Sequence, residues 1–263
     1  MFQTVLRWAQ GEAPGAPPAL QPADALFIDV DGTLLEIAPQ PELVTVPPGL
    51  PELLEHLANR HGDALALVSG RPLTELDRLF RPWHGAAAGL HGAERRRGDG
   101  IAAARPDDPA ERAAISAIDR LRTELRDFVR NLPGVRLEDK GRTLAVHYRA
   151  APQAEDAVRR TVARVTRADA ELLRTIAGKM VVEVQPRHHG KDRAIAAFMA
   201  EPPFRGRRPV FLGDDTTDED GFAEVNRREG ISIRIGAPRP TTAKYELPSV
   251  AAALSWLAAG EVR

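Results

Sequence analysis

Four short segments of this chain combine acids, a lysine and a hydroxyl at spacings that suit chemistry on an anionic substrate. The first is Asp29-Val30-Asp31-Gly32-Thr33. Side chains two apart on an extended segment point the same way. Asp29 and Asp31 would therefore present two carboxylates together, a hard-oxygen site for a hydrated divalent cation. Gly32 allows a sharp turn that aims backbone N–H groups at an anion. An acidic strand-to-turn connection would use the same residue types with no chemistry at all. A calcium loop is excluded, because it wants glycine sixth and glutamate twelfth, whereas Gly32 is fourth and Gln40 twelfth.

The second segment, Gly213-Asp214-Asp215-Thr216-Thr217-Asp218-Glu219-Asp220, holds five acids in seven positions. They would repel one another without a cation. The positive end of a helix accounts for Glu219 and Asp220, but not for Asp214 and Asp215 at the strand end. The third is Lys191, which opens a helix, where a cation is mildly unfavourable, so an anion is expected beside it. An exposed surface lysine is the plainer alternative. The fourth is Ser69-Gly70-Arg71. Its hydroxyl and neighbouring N–H groups could hold a phosphoryl oxygen, or Ser69 could cap the helix that follows Pro72.

The elements that must position these groups are legible as apolar runs. Ala25–Ile28, Ala64–Val68, Ala86–Leu90, Pro209–Leu212 and Ile231–Ile235 read as buried strands. Helical patterns separate them, as in Pro48–Arg60 with Leu50, Leu53, Leu54 and Leu57 on one face. The alternation predicts an α/β, doubly wound parallel sheet, with polar residues just past the strands' carboxyl ends. Residues 105–185 read differently, as helix, hairpin, helix, hairpin. That pattern predicts a smaller α+β domain inserted between two core segments, 23–104 and 186–263, after a tail or linker at 1–22. Gly98–Gly100 and Pro186–Gly190 are the expected hinges for closure of the insert.

Parity places Glu138 and Lys140 on one strand face, with Ala145, His147 and Arg149 on the partner and Lys179, Val181 and Glu183 further on. The opposite face carries Leu144, Val146, Tyr148, Met180, Val182 and Val184, as a core would. The polar face could bind sugar hydroxyls or simply face water.

Composition removes several classes. With 36 Lys+Arg against 37 Asp+Glu there is no global basic field to recruit nucleic acid or an anionic membrane. The absence of cysteine excludes disulfides, thiolate nucleophiles and Cys-ligated zinc, and fits a reducing cytoplasm. The N-terminal segment lacks the basic start and long apolar run of a signal peptide, and nothing approaches a membrane span. A cytoplasmic monomer with no nucleic-acid or membrane partner is the expectation.

In this order, the four segments resemble the motifs of the haloacid-dehalogenase (HAD) superfamily of phosphohydrolases. By that resemblance Asp29 is the nucleophile, Asp31 the general acid/base, Ser69 the phosphate-binding hydroxyl and Lys191 the charge-balancing lysine. Asp214 is the metal ligand, with Asp215 and Asp218 in the same loop. The resemblance implies Mg²⁺ bridging Asp29, the Asp31 backbone carbonyl and Asp214, and phosphate contacts from Gly32, Thr33, Gly70 and Arg71. Gly89-Leu90-His91-Gly92-Ala93-Glu94, His189-Gly190-Lys191 and the acidic segment through Phe222 are similar to trehalose-6-phosphate phosphatases. So is the insert with Glu138, Lys140, His147, Arg149, Lys179 and Glu183. The implied activity is Mg²⁺-dependent hydrolysis of trehalose 6-phosphate through an aspartyl-phosphate, with His91, Glu94 and the insert residues as substrate contacts. Another sugar phosphate, such as sucrose 6-phosphate or a hexose phosphate, is the alternative within the class. A receiver domain lacks a second acid two residues after its phosphorylated aspartate. An aspartyl-phosphate ATPase would do better without an acid at Asp31. A binding module without activity would not need every catalytic residue type.

Overall fold

The computed structural model describes residues 15–38, 43–98, 109–178 and 180–259. The expected tail up to residue 14, Lys179, and the first hinge beyond Gly98 lie outside them. The chain divides into two compact units, Met1–Ala103 with Gly190–Arg263, and Ala104–His189.

In the first unit the apolar runs become the central strands. These are β1 (Asp24–Ile28), β2 (Leu65–Val68), β3 (Ala86–Gly89), β9 (Arg208–Gly213) and β10 (Ile231–Ile235). Two three-residue strands, β4 (Glu94–Arg96) and β11 (Tyr245–Leu247), complete a sheet ordered β11-β10-β9-β1-β2-β3-β4. Both are too short to leave a periodic signal. The sheet is parallel except at β4, which pairs antiparallel with β3 and so departs from the all-parallel expectation.

Parity along β1 explains the layering. Leu26 and Ile28 join one core with Leu65, Leu67, Val210, Leu212 and Ile233. That core is covered by α1 (Leu50–Arg60), α2 (Leu73–Leu79) and α7 (Val250–Ala258). Ala25 and Phe27 join the other, with Ala66, Val68 and Phe211. There α5 (Lys191–Met199) contributes Ile195 and Phe198, and α6 (Glu219–Arg227) contributes Phe222 and Val225. Both faces are thus dry, which is why these strands read as continuous apolar runs. The sequence and structure agree on an α/β core with helices on both faces of a mostly parallel sheet.

The second unit is a four-stranded antiparallel sheet, β5 (Arg136–Asp139), β6 (Leu144–His147), β7 (Leu173–Gly178) and β8 (Val181–Pro186), ordered β5-β6-β8-β7. Helices α3 (Pro109–Arg130) and α4 (Glu155–Thr166) supply Ile118, Leu121, Leu125, Val158 and Val162 to its core. Leu144, Val146, Val182 and Val184 meet them from the sheet. No helix among the described residues is long and apolar enough to cross a membrane.

Candidate active site

Parallel pairing sets Ile28 beside Leu212, so Asp29 and Asp214 leave neighbouring strands at the same edge. The Asp29 N–H donates to the Leu212 carbonyl at 2.9 Å, carrying that register one residue further. The chain then turns through Gly32, whose φ is +85°, in the left-handed region that favours glycine. A Cβ there would stand 2.1 Å from Asp214 Oδ2, so glycine is required for space as well as for the turn.

Lys191 begins α5 and is almost wholly buried. Its Nζ donates to Asp29 Oδ1 and Asp218 Oδ1, both at 2.6 Å. These are the anions that a lysine at a helix N-terminus requires. Burial disfavours its charge, but Asp218 and Asp29 outweigh burial and hold the ammonium above its usual range. The other Asp218 oxygen accepts from the Asp214 and Asp215 N–H groups, each at 2.9 Å. Asp218 therefore both fixes the acidic loop and anchors the lysine. Asp215 caps the short turn Thr216–Asp218 in a reciprocal box.

Asp29, Asp214 and Asp218 each offer an oxygen within 4.8 Å of the others. Burial raises the Asp29 carboxyl well above its ordinary value; Lys191 opposes that, and Asp218 and Asp214 add to it. Burial, then Asp218, pushes Asp214 up to about 7. Asp214 Oδ1 is buried with no hydrogen-bond partner. Crowded carboxylates with one such oxygen could hold a hard divalent cation. The side chains of Asp31 and Asp215 stand outside this group of three.

Asp31 instead faces Arg71, whose Nε and Nη2 donate to its two oxygens at 2.7 Å each. Arg71 Nη1 also donates to Glu75 at 2.8 Å. Burial works against the Arg71 charge, but the two carboxylates hold its pKa above the usual value. Ser69 Oγ accepts from the Arg71 N–H at 3.1 Å and makes no cap to α2. The Leu73 N–H donates to Glu94 at 2.8 Å instead, and this replaces the expected Ser69 cap. Thr33 Oγ1 donates to Asp29 Oδ2 at 3.4 Å. His91 is buried with φ 53°, and Gly70 lies against its ring, where a Cβ would meet Nε2 at 2.7 Å. The first unit thus gathers Asp29, Asp31, Gly32, Thr33, Ser69, Gly70, Arg71, Lys191, Asp214 and Asp218 at one sheet edge.

In the second unit, Glu138, Ala145 and Glu183 align across three strands, as parity predicts. Glu138 accepts from His147 Nε2 at 2.7 Å, and Lys140 Nζ donates to Glu183 at 3.0 Å. The hydrogen bond from His147, opposed by burial and aided by Lys140, lowers the Glu138 carboxyl. Arg149 follows β6 on the exposed surface.

One contact at the acidic loop has no sequence signal. Arg239 Nη2 donates to the Asp214 carbonyl at 2.9 Å. Glu219 holds the same segment, through Thr241 Oγ1 and the Thr242 N–H at 2.8 Å each. An arginine in an irregular stretch after β10 carries no local mark of this role.

The trehalose-phosphatase family profile matches residues 27–251. The trehalose-6-phosphate phosphatase of Escherichia coli K12 is 45% identical over 242 residues, covering 91% of this chain and 87% of that protein. The C-terminal domain of the C. albicans trehalose-6-phosphate phosphatase superposes with a TM-score of 0.77 at 19% identity, over 94% of this chain and 98% of that one. A phosphatase of the HAD superfamily from Bacteroides thetaiotaomicron has the same fold, with a TM-score of 0.58 at 16% identity over 90% and 93% of the two chains. With the profile spanning most of the chain and a relative this similar over its length, the chain belongs to the trehalose-phosphatase family of phosphoric monoester hydrolases.

Proposed function

We propose that this enzyme hydrolyses trehalose 6-phosphate to trehalose and phosphate, with Asp29 as the nucleophile and Mg²⁺ as cofactor. The observation that carries the reading is the buried ion cluster in which Lys191 bridges Asp29 and Asp218 beside Asp214. Asp29, Asp214 and Asp218 would hold the cation, which when bound supplies positive charge between the carboxylates and the phosphate.

Lys191 holds Asp29 in place and favours its ionised form. An Asp29 oxygen attacks phosphorus in line, and the bond to the sugar oxygen breaks. Asp31 protonates that leaving oxygen. It then takes a proton from the water that attacks the aspartyl-phosphate, which frees phosphate and restores Asp29. General acid–base help of this kind is worth about 10²–10⁴-fold. Arg71 is paired with Asp31. Asp31 must leave that pair and take a proton from water before it can deliver one, and a phosphate dianion drawing on Arg71 favours the exchange. The Ser69 hydroxyl supplies a donor for a phosphoryl oxygen, while the Gly32 and Thr33 N–H groups are held by the Leu35 and Val30 carbonyls. In the second unit, Glu138, Lys140, His147, Arg149, Lys179 and Glu183 select the sugar.

The test is phosphate release from trehalose 6-phosphate, sucrose 6-phosphate and glucose 6-phosphate, with Mg²⁺ and with a chelator. Trehalose 6-phosphate should be preferred, the chelator should stop turnover, and Asp29→Asn should be inactive while remaining folded. Equal use of the three sugars would overturn the substrate, and full activity in chelator would overturn the cation. Turnover by Asp29→Asn would overturn the nucleophile.

A further inference from the structure

The second unit holds a cluster of ligand-type side chains that the proposed reaction does not use. Glu111 lies in the first turn of α3, and His188 and His189 follow β8. Nε2 of His188 and Nε2 of His189 both meet Glu111 Oε2, at 2.5 and 2.8 Å. We propose that Glu111, His188 and His189 form a binding site for a transition-metal dication of the zinc class, built from residues other than the acidic triad of the first unit.

Convergence is the first argument. His188 and His189 lie in the turn that ends β8, and it brings their two rings 4.6 Å apart, edge to face, onto one oxygen. One ligand atom from each of the three residues lies within 4.8 Å of the others. A tetrahedral ion with bonds of about 2.0–2.2 Å requires only small outward shifts of such atoms.

Donor chemistry is the second. Two imidazoles and one carboxylate suit zinc, cobalt or nickel, whereas Mg²⁺ keeps to oxygen. The carboxylate is oriented from behind by Arg142, whose Nη1 donates to Glu111 Oε1 at 2.6 Å. That leaves Oε2 aimed at the imidazoles. An outer partner of this kind fixes a ligand's direction, and its loss elsewhere costs about 10–100-fold in metal affinity.

Access is the third. The His189 side chain is 0% exposed and that of Glu111 9%, while His188 is 33% exposed. The cluster is therefore sheltered on two sides and open on one, where an ion can enter and a water can complete four-coordination. On binding, each imidazole gives up its Nε2 proton to solvent and takes one at Nδ1, so that Nε2 presents a lone pair to the ion, and the two hydrogen bonds to Oε2 are exchanged for three bonds to metal. The alternative is a plain hydrogen-bonded clasp tying α3 to the end of β8.

The experiment uses the whole chain with Mg²⁺ in large excess, so that the acidic triad is already supplied with its own class of ion. Zn²⁺ is titrated by calorimetry and Co²⁺ by visible absorption. One equivalent should bind, with Co²⁺ bands of low, nitrogen-containing coordination. His188→Ala, at the most exposed ligand, should weaken binding at least ~10-fold. Asp214→Asn should leave it unchanged. Glu111→Gln is the second variant, and Co²⁺ broadening of the His188 and His189 ring signals in the unaltered protein serves if either variant misfolds. No stoichiometric binding in Mg²⁺, or equal binding by His188→Ala, overturns the site and leaves the clasp. The outcome is independent of substrate identity, because neither readout requires turnover.

Discussion

At the scale of single residues, two buried ionisable groups have testable consequences. Lys191 is the only partner of the Asp29 and Asp218 oxygens it bridges that carries positive charge among the described contacts. Replacing it with Met leaves two buried carboxylates uncompensated, a change that typically costs about 3–5 kcal/mol. Lys191→Met should therefore lower the urea midpoint, lose turnover, and regain part of its stability in Mg²⁺. An unchanged midpoint without Mg²⁺ would show that the carboxylates protonate at little cost. His61 is the second case. It is wholly buried, its Nδ1–H donates to the Asp24 carbonyl at 3.1 Å, and its Nε2 has no hydrogen-bond partner. Burial lowers its pKa below the ordinary 6.5. Above 6.5 the ring is neutral in both folded and unfolded chains, and it adds nothing pH-dependent. Below 6.5 the unfolded chain takes up the proton first, so stability falls as pH drops toward the folded pKa. The loss of stability between pH 7.5 and pH 5.5 should be smaller in His61→Gln, measured by urea unfolding at each pH.

At the scale of elements, the turn after β1 does what no single side chain can. Gly32 combines φ +85° with a predicted Cβ overlap on Asp214 at 2.1 Å, whereas Gly141, at φ +77°, faces open space. The pair separates strain from function. Gly141→Ala should cost only the left-handed penalty, about 1–2 kcal/mol. Gly32→Ala carries the same penalty and also displaces a carboxylate, so it should weaken Mg²⁺ binding at least ~10-fold beyond the Gly141 control. Calorimetry of both variants decides this, and equal affinities would remove Asp214 from the cation site. The helices make a parallel point. Dipole reasoning expects an anion beside Lys191, and two are present. The same kind of local reasoning expects Ser69 to cap α2, yet Glu94, twenty-one positions beyond Leu73, takes the Leu73 N–H. A cap can be supplied by any element that folds back to it, and local sequence does not record which.

At the scale of the molecule, the chain divides into two compact units, and the proposed function assigns phosphate chemistry to the first and sugar selection to the second. A disaccharide phosphate offers one phosphate and many hydroxyls, so discrimination between sugars belongs with donors and acceptors away from the cation. The proposed function gives this role to Glu183, which pairs with Lys140 and lies in register with Ala145, itself opposite Glu138. Glu183→Ala should lower kcat/KM for trehalose 6-phosphate at least ~10-fold, about 1.4 kcal/mol. Hydrolysis of a small aryl phosphate should change much less. Equal loss on both substrates would give Glu183 a structural role, and no loss on either would return it to the solvated surface.

Sequence alone determined the strands, because five dry apolar runs have one period and one burial state, and it determined the order of the chemical residues along the chain. Together these placed Asp29, Ser69 and Asp214 at strand ends, where an open α/β sheet puts its ligands. Parity likewise put Glu138 and Glu183 on one sheet face, on either side of Ala145, since strand side chains alternate unless a bulge intervenes. Tertiary structure alone decided which partners those groups take. Asp31 is held by Arg71, forty residues away, Asp214 is braced by Arg239, and Glu111 meets His188 and His189 across seventy-seven and seventy-eight positions. The antiparallel edge strand β4 belongs here too, because three residues have too few repeats to show a period. Period and order are local properties of a chain. A hydrogen bond between distant side chains depends on how the intervening elements pack, and no pattern within either segment records it.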